Sequence, residues 1–285
     1  MRIVRYRLGA DEKVGLLEGD EIVPVAGADC ASFVVGTPAT LVEDPGAPRV
    51  RLDQVQVLAP IVRGRFFCIG LNYQAHVAEV ARDPAERPSV FTRTRESLAG
   101  PGDSLWRPKV SEQFDYEGEL AAVIGKAGRH ISTEDALDHV FGYTCFLDGS
   151  VRDFQKHSVT AGKNFERTGA IGPWIVSRDE APQWNAMTLV TRLNGAVVQQ
   201  TSTSLMIYGL PELVSYLSTI TTLAPGDVIA TGTPSGVGAR RTPPLWMHAG
   251  DRIDVTVDGV GALVNDVVDE PEFVPTTALV QEISS

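Results

Sequence analysis

The chain has 285 residues, of which 43% are hydrophobic and 21% charged, and its 25 Lys and Arg against 36 Asp and Glu give a formal net charge of -11. This composition excludes a disordered chain, and the length buries a sizeable core as one large domain or a main domain with a small companion. The acidic balance argues against a nucleic-acid partner, and no apolar stretch reaches the roughly 20 residues of a membrane helix, so a soluble cytoplasmic protein acting on a small molecule is expected.

The first residues alternate apolar and polar through Ile3-Val4-Arg5-Tyr6-Arg7-Leu8, continue through Val14 to Leu17, turn at Glu18-Gly19-Asp20 and resume at Glu21-Ile22-Val23-Pro24-Val25. This pattern predicts a small β-meander. A loose stretch from Ala26 to Pro48 and a composition change near Ala59-Pro60 mark a boundary, giving an N-terminal β-rich unit over 1–60 and a main domain over 61–285. Beyond it, Phe66-Phe67-Cys68-Ile69 reads as a short buried strand ended by Gly70, and Tyr73 to Ala81 as a short helix stopped by Pro84. The segment from Gln74 to Arg95, polar and interrupted by Pro84 and Pro88, is expected to act as a mobile lid.

Leu120-Ala121-Ala122-Val123-Ile124, ended by Gly125, reads as a buried strand. Ser132 to Val140 carries a hydroxyl cap and early acids, which predict a helix start. Leu193-Asn194-Gly195-Ala196 is a hairpin signal, Pro211 to Leu217 opens an amphipathic helix, and turns at Asp103, Asp227 and Asp251 lead into strands. Many short strands with few short helices point to a mixed β (α+β) architecture rather than a doubly wound sheet. Cys30, Cys68 and Cys145 are widely spaced with no C-x-x-C pair, so neither a disulfide framework nor a zinc site is implied.

Chemistry concentrates in two segments, Asp115-Tyr116-Glu117-Gly118-Glu119 and Leu147-Asp148-Gly149-Ser150-Val151-Arg152-Asp153-Phe154-Gln155. On a strand, residues two apart face one way, so Glu117 and Glu119 aim their charges into one space. A cation or a proton must relieve them, and an oxygen-only donor set suits Mg²⁺, Mn²⁺ or Ca²⁺ rather than zinc. His76 and Glu79, three apart, share one face of the short helix, where the carboxylate can orient the imidazole. Other catalytic signatures fail on spacing. Gly232-Thr233-Pro234-Ser235-Gly236 has its serine one place too late for a nucleophile elbow, Gly162-Lys163-Asn164 is no P-loop, and Gly236-Val237-Gly238 does not complete a dinucleotide fingerprint.

Taken together, Gly70-Leu71-Asn72-Tyr73 with His76 and Glu79, Gly100-Pro101-Gly102-Asp103, Asp115 to Leu120, Asp148 with Arg152-Asp153 and Gln155, Gly162-Lys163, Gly172-Pro173-Trp174 and Thr231 to Gly238 resemble, in order, the signatures of the fumarylacetoacetate hydrolase family. Its bacterial members include acylpyruvate hydrolases and hydroxyhepta-diene-dioate isomerases. The resemblance implies that family's β-sandwich roll and a homodimer. It also implies Mg²⁺ or Mn²⁺ held by Glu117, Glu119 and Asp148, with His76 and Glu79 as a water-activating dyad. By the same correspondence Lys163 and Gln155 donate to a developing oxyanion, Arg152 either contacts an anion or supports the site from behind, and Thr233 contacts a carboxylate or keto oxygen. Two positions depart from the pattern: Phe91-Thr92-Arg93-Thr94 stands where members read F-L-K-P, and Leu147 where many have Asn. Arg93 keeps the charge with a different shape, as a substrate contact. The implied reaction is hydrolysis of a carbon-carbon bond in an acylpyruvate or related 1,3-diketo acid, in aromatic catabolism. The rival is decarboxylation or keto-enol isomerisation of an oxaloacetate-like or hydroxymuconate-like acid, and a more distant one is a non-catalytic metal-binding protein.

Overall fold

The computed structural model describes residues 1–26, 41–81 and 86–272; Cys30, Pro84 and most of the 26–48 stretch lie outside them. The meander is present as β1 (Arg2–Leu8), β2 (Asp11–Glu18) and β3 (Glu21–Pro24), followed by β4 (Val50–Arg51) and β5 (Gln56–Leu58). Then come β6 (Phe66–Gly70), α1 (Gln74–Glu79), β7 (Ser89–Arg93), β8 (Leu98–Ala99), β9 (Leu105–Arg107) and β10 (Phe114–Asp115). The centre of the chain supplies β11 (Gly118–Ile124), β12 (Val140–Leu147), β13 (Ser150–Val151), α2 (Arg152–Gln155), α3 (Val159–Lys163) and β14 (Gly169–Ser177). The remainder gives β15 (Thr188–Leu193), β16 (Ala196–Ser202), α4 (Leu210–Ile220), β17 (Val228–Ala230), β18 (Arg252–Val257) and β19 (Gly261–Asp269). The strand-rich α+β expectation holds.

A large mixed sheet runs β4-β3-β2-β1-β14-β12-β11-β17-β6-β7, with β5 paired to β1 and β8 to β14, and a five-stranded sheet runs β16-β15-β18-β19-β9. The meander joins the large sheet through β1, where Arg2 and Ile3 pair with Val176 and Ile175 of β14. Both faces of β11 are covered, which explains its unbroken apolar run. Leu120, Ala122 and Ile124 pack in a core with Leu189, Val255 and Leu263 of the five-stranded sheet. Ala121 and Val123 face a second core with Phe66, Phe146 and Ile171.

Local signals decide the turns. Asn194 and Gly195, at φ 52° and 80°, make the two-residue connection of the β15–β16 hairpin. The helix over 210–220 forms as expected, with proline in its first turn. The Ser132 segment differs: Ser132 Oγ accepts the Asp135 N–H at 3.2 Å, yet only a 3₁₀ turn over Ala136–His139 follows. The carbonyl of His139 is already taken by the N–H groups of Gly125 and Lys126 across the hairpin, so no helical turn can claim it. The expected lid also ends early, because Ser89–Arg93 pairs residue for residue with β6, from Gly70↔Ser89 to Phe66↔Arg93. Its backbone hydrogen bonds belong to the large sheet. Cys68 and Cys145 are free thiols buried in the cores.

Candidate active site and metal centre

The β11–β12 register brings the acidic residues together. Gly118 pairs with Leu147, so Glu117 and Glu119 at the start of β11 meet Asp148 just past the end of β12, and the Asp148 N–H bonds the Glu117 carbonyl at 2.8 Å. One ligand oxygen from each of the three carboxylates lies within 4.8 Å of the others, and all three residues are buried. Gly118 between the glutamates has a specific reason: a Cβ there would stand 2.0 Å from Thr191 Oγ1 of β15. Only glycine lets the two sheets close here.

Cations stand around the triad. Lys163 Nζ reaches Glu117 Oε2 at 2.7 Å, Asp148 Oδ2 at 2.6 Å and the Asp148 carbonyl at 2.9 Å, which occupies all three of its N–H groups. Arg152 spreads its guanidinium over Glu117 Oε1 at 2.6 Å, Asp115 Oδ2 at 2.8 Å and Gln155 Oε1 at 2.8 Å. Gly162 permits this grouping, because a Cβ there would come within 2.6 Å of Gln155 Cβ and push α3 off α2. Arg93, with no exposed side-chain surface, donates to Asp148 Oδ1 at 2.7 Å and to the Gly149 carbonyl at 2.8 Å.

Four carboxylates, Asp115, Glu117, Glu119 and Asp148, thus stand against three cations, Arg93, Arg152 and Lys163. Glu119 is the one left over: among the described residues it enters no ion pair, and its Oε2 accepts the Gly232 N–H at 2.9 Å. Burial, then the neighbouring charges of Asp148 and Glu117, push its carboxyl well above the usual range. Burial acts to raise Glu117 as well, but Lys163 and Arg152 overcome it and hold that group at about 2. A buried, hard-oxygen site with one uncompensated negative charge fits a divalent cation bound by Glu117, Glu119 and Asp148.

A cavity of about 450 Å³ opens above the triad, and Glu117, His76, Lys163, Gln155 and Thr233 line it. His76 is buried on α1, with Nδ1 2.9 Å from Glu79 Oε2, while Glu79 Oε1 accepts the Gly236 N–H at 2.8 Å. With its proton on Nδ1, the imidazole keeps Nε2 as the basic nitrogen.

A family model described as "Fumarylacetoacetate (FAA) hydrolase C-terminal" matches residues 65–268. The chain belongs to this family. A second model, "Rv2993c-like, N-terminal", matches residues 1–60. The chain is 43% identical over 232 residues to the oxaloacetate tautomerase YisK of Bacillus subtilis (strain 168), covering 79% of this chain and 77% of that protein. Among solved structures, 5-carboxymethyl-2-hydroxymuconate delta-isomerase from Mycobacterium smegmatis superposes with a TM-score of 0.81 at 31% identity, over 95% of this chain and 100% of that one. Maleylpyruvate hydrolase from Sphingobium sp. SYK-6, in complex with manganese (II) ion and pyruvate, does so with a TM-score of 0.78 at 30% identity and the same coverage. Among the described residues, no helix is long and apolar enough to cross a membrane.

Within this family member, ten residues named from sequence gather in one region, though not all face the cavity. Arg93 was expected to touch substrate; its guanidinium lies behind Asp148 and also donates to Thr168 Oγ1 at 3.0 Å, so it braces the Asp148 carboxylate. The Thr233 hydroxyl donates to the Gly118 carbonyl at 3.0 Å and accepts from Gln199 Nε2 at 2.8 Å, although the residue does line the cavity. Sequence reasoning assigned no role to Asp115 or Gln199. Asp115 accepts the N–H groups of Tyr116, Gly238 and Ala239 besides Arg152, and so fastens the 231–240 loop to the cation cluster. Gln199 Oε1 accepts the Gly118 N–H at 2.9 Å. The adjacency of Asp115 to the glutamates was a visible signal; Gln199, on a distant hairpin, offered none.

Proposed function

We propose that the protein is a divalent-metal-dependent keto-enol tautomerase of an oxaloacetate-like 2-keto acid. Glu117, Glu119 and Asp148 would hold the cation, which would act as a Lewis acid toward the keto acid. His76 Nε2 takes a proton from the carbon next to the keto group, and the same proton inventory, returned at oxygen, completes the enol with no bond between heavy atoms broken. Glu79 keeps the proton on Nδ1 and stabilises the imidazolium while it exists. Arg152, fixed by Asp115, and the Gln155 amide, whose NH₂ has no partner among the described residues, orient the anion. The reading is supported by the 43% identical relative, which carries that activity in its name.

The observation that carries the choice is Lys163. A hydrolase needs free donors for the oxyanion of a tetrahedral adduct. Lys163 was expected to provide one, but its three N–H groups are engaged by Glu117 and Asp148. Hydrolysis of an acylpyruvate therefore ranks second, favoured by a Gln155 NH₂ with no partner among the described residues and by the likeness to a maleylpyruvate hydrolase. The deciding experiment follows the enol of oxaloacetate by ultraviolet absorbance with Mg²⁺, Mn²⁺ or EDTA, beside acylpyruvates whose products are identified by mass. Metal-dependent loss of the enol with an intact carbon skeleton is expected. Two carbon products from an acylpyruvate, with no acceleration on oxaloacetate, would overturn the proposal.

A further inference from the structure

Asn72 touches both halves of the site, although the reaction described above gives it no part. β6 and β17 run parallel, with Cys68 paired to Ala230, so the chain leaves the two strands side by side. Asn72 follows β6, and Thr231-Gly232 follow β17. Asn72 has no exposed surface, and its whole carboxamide is engaged. Nδ2 donates to the Thr231 carbonyl at 2.8 Å and to the Tyr208 carbonyl at 3.0 Å, while Oδ1 accepts the Tyr208 N–H at 2.8 Å. A reversed amide would set its oxygen against two carbonyls, so the surroundings fix this orientation.

The Thr231 carbonyl and the Gly232 N–H belong to one peptide group. Its carbonyl end takes the Asn72 amide, and its N–H end donates to Glu119 Oε2 at 2.9 Å. Hydrogen bonds at the two ends of a peptide polarise it in the same sense, so the donor at Asn72 strengthens the bond that reaches Glu119. Glu119 has no ion pair among the described residues, which leaves this N–H to orient its carboxylate. Close approach holds the peptide in place as well. Gly232 sits at φ 98°, and a Cβ there would meet Asn72 Cβ at 2.8 Å.

The same residue carries the base. Leu71, which lines the cavity, is held at φ 59°, a conformation that bulky side chains avoid unless their neighbours over-determine it. The side-chain bonds of Asn72 provide that constraint, together with its carbonyl, which accepts the Ile207 N–H at 2.8 Å. Directly beyond it Tyr73 caps α1, and His76 stands in the first turn of that helix.

We infer that Asn72 is a positioning residue joining the two halves of the site: it holds α1 with His76 and, through the Thr231–Gly232 peptide, the ligand Glu119. The inference rests on the metal-centre and general-base reading of the site. It does not depend on whether tautomerisation or hydrolysis follows.

Three variants of the full chain test it. Asn72→Ala removes the clamp, and Asn72→Asp keeps the shape and the acceptor for Tyr208 but has no NH₂ for Thr231. Asn265→Ala is the control, because Asn265 is equally buried and donates its NH₂ to two carbonyls, of Gly100 and Asp103, at 2.8 Å each, outside the cavity lining. The measurements are Mn²⁺ binding by calorimetry, steady-state kinetics at saturating metal, and the Gly232 amide resonance of the metal-free chain labelled with ¹⁵N-glycine. Asn72→Ala is expected to bind Mn²⁺ about tenfold more weakly, the scale of losing a contact behind a ligand, and to lose about tenfold in kcat with KM nearly unchanged. The Gly232 amide proton should move upfield in both Asn72 variants as its bond to Glu119 lengthens. Asn265→Ala should lose thermal stability and nothing else. Wild-type Mn²⁺ affinity and kcat in Asn72→Ala, or losses of the same size in Asn265→Ala, overturn the inference while leaving the metal centre standing. Should Asn72→Ala fail to fold, an unmoved Gly232 resonance in Asn72→Asp does the same. Absence of Mn²⁺ binding by the wild type overturns the metal-centre reading and this inference with it.

Discussion

Glu79 and Gly236, 157 positions apart in sequence, are joined by a 2.8 Å hydrogen bond from the Gly236 N–H to Glu79 Oε1, while the other oxygen of the same carboxylate holds His76 Nδ1 at 2.9 Å. His76 is thereby tied through Glu79 to the loop that also carries Thr233, and is not positioned by α1 alone. That helix has only six residues, too few to hold a side chain rigidly by its own backbone bonds.

His76→Ala is therefore expected to lower kcat on oxaloacetate enol by roughly 100-fold or more, the scale of losing a general base, with Mg²⁺ affinity intact. Glu79→Ala should lose nearly as much and also loosen the 231–240 loop. Stopped-flow kinetics with metal titration checks both; near wild-type turnover in His76→Ala would remove His76 from the mechanism.

The triad variants should move stability in opposite directions when the protein is metal-free. The raised carboxyl of Glu119 favours the folded state below about pH 4.5, and that contribution is lost as pH climbs through its folded value. Near neutral pH, Glu119→Gln should then be at least as stable as wild type in EDTA. Glu117 has the other sign: its contribution is present above its ordinary carboxylate value and lost as pH falls toward about 2. Glu117→Gln leaves Lys163 and Arg152 under-compensated and should cost about 3 kcal/mol. Urea titrations in EDTA read the difference, and both variants should lose Mg²⁺ and Mn²⁺ binding.

Gly118→Ala places a methyl 2.0 Å from Thr191 Oγ1 and 3.3 Å from Val255 Cγ1, where β11 packs on the five-stranded sheet. The expected cost is about 1–3 kcal/mol. Because the glutamates flank this position, weaker metal affinity should accompany it, measurable by calorimetry on the folded variant.

Arg93→Met removes a buried cation that pairs with Asp148 and should destabilise the fold by about 3 kcal/mol. Arg93→Lys restores charge without the planar fork that also reaches Gly149 and Thr168, so it should fold while binding Mg²⁺ roughly 10-fold more weakly. Thermal melts and metal titration separate the two effects; wild-type metal affinity in Arg93→Lys would show that charge alone suffices.

The sequence by itself determined whatever is written in short-range order. The period-2 run of Glu117 and Glu119 with the apolar residues after it, the Asn194-Gly195 turn, the three-residue spacing of His76 and Glu79, and the proline-led helix at 210 each depend on backbone geometry within a few residues. Tertiary structure decided what depends on pairing across the chain. Only the Gly118↔Leu147 register places Asp148 beside the glutamates, and only the Phe66↔Arg93 register turns the end of the expected lid into a strand with Arg93 behind Asp148. The engaged donors of Lys163 and the contact of Gln199 with Gly118 follow from the same cause. Each is a matter of which partner is within about 3 Å, a distance set by strand pairing between residues tens to over a hundred positions apart, which local spacing does not encode.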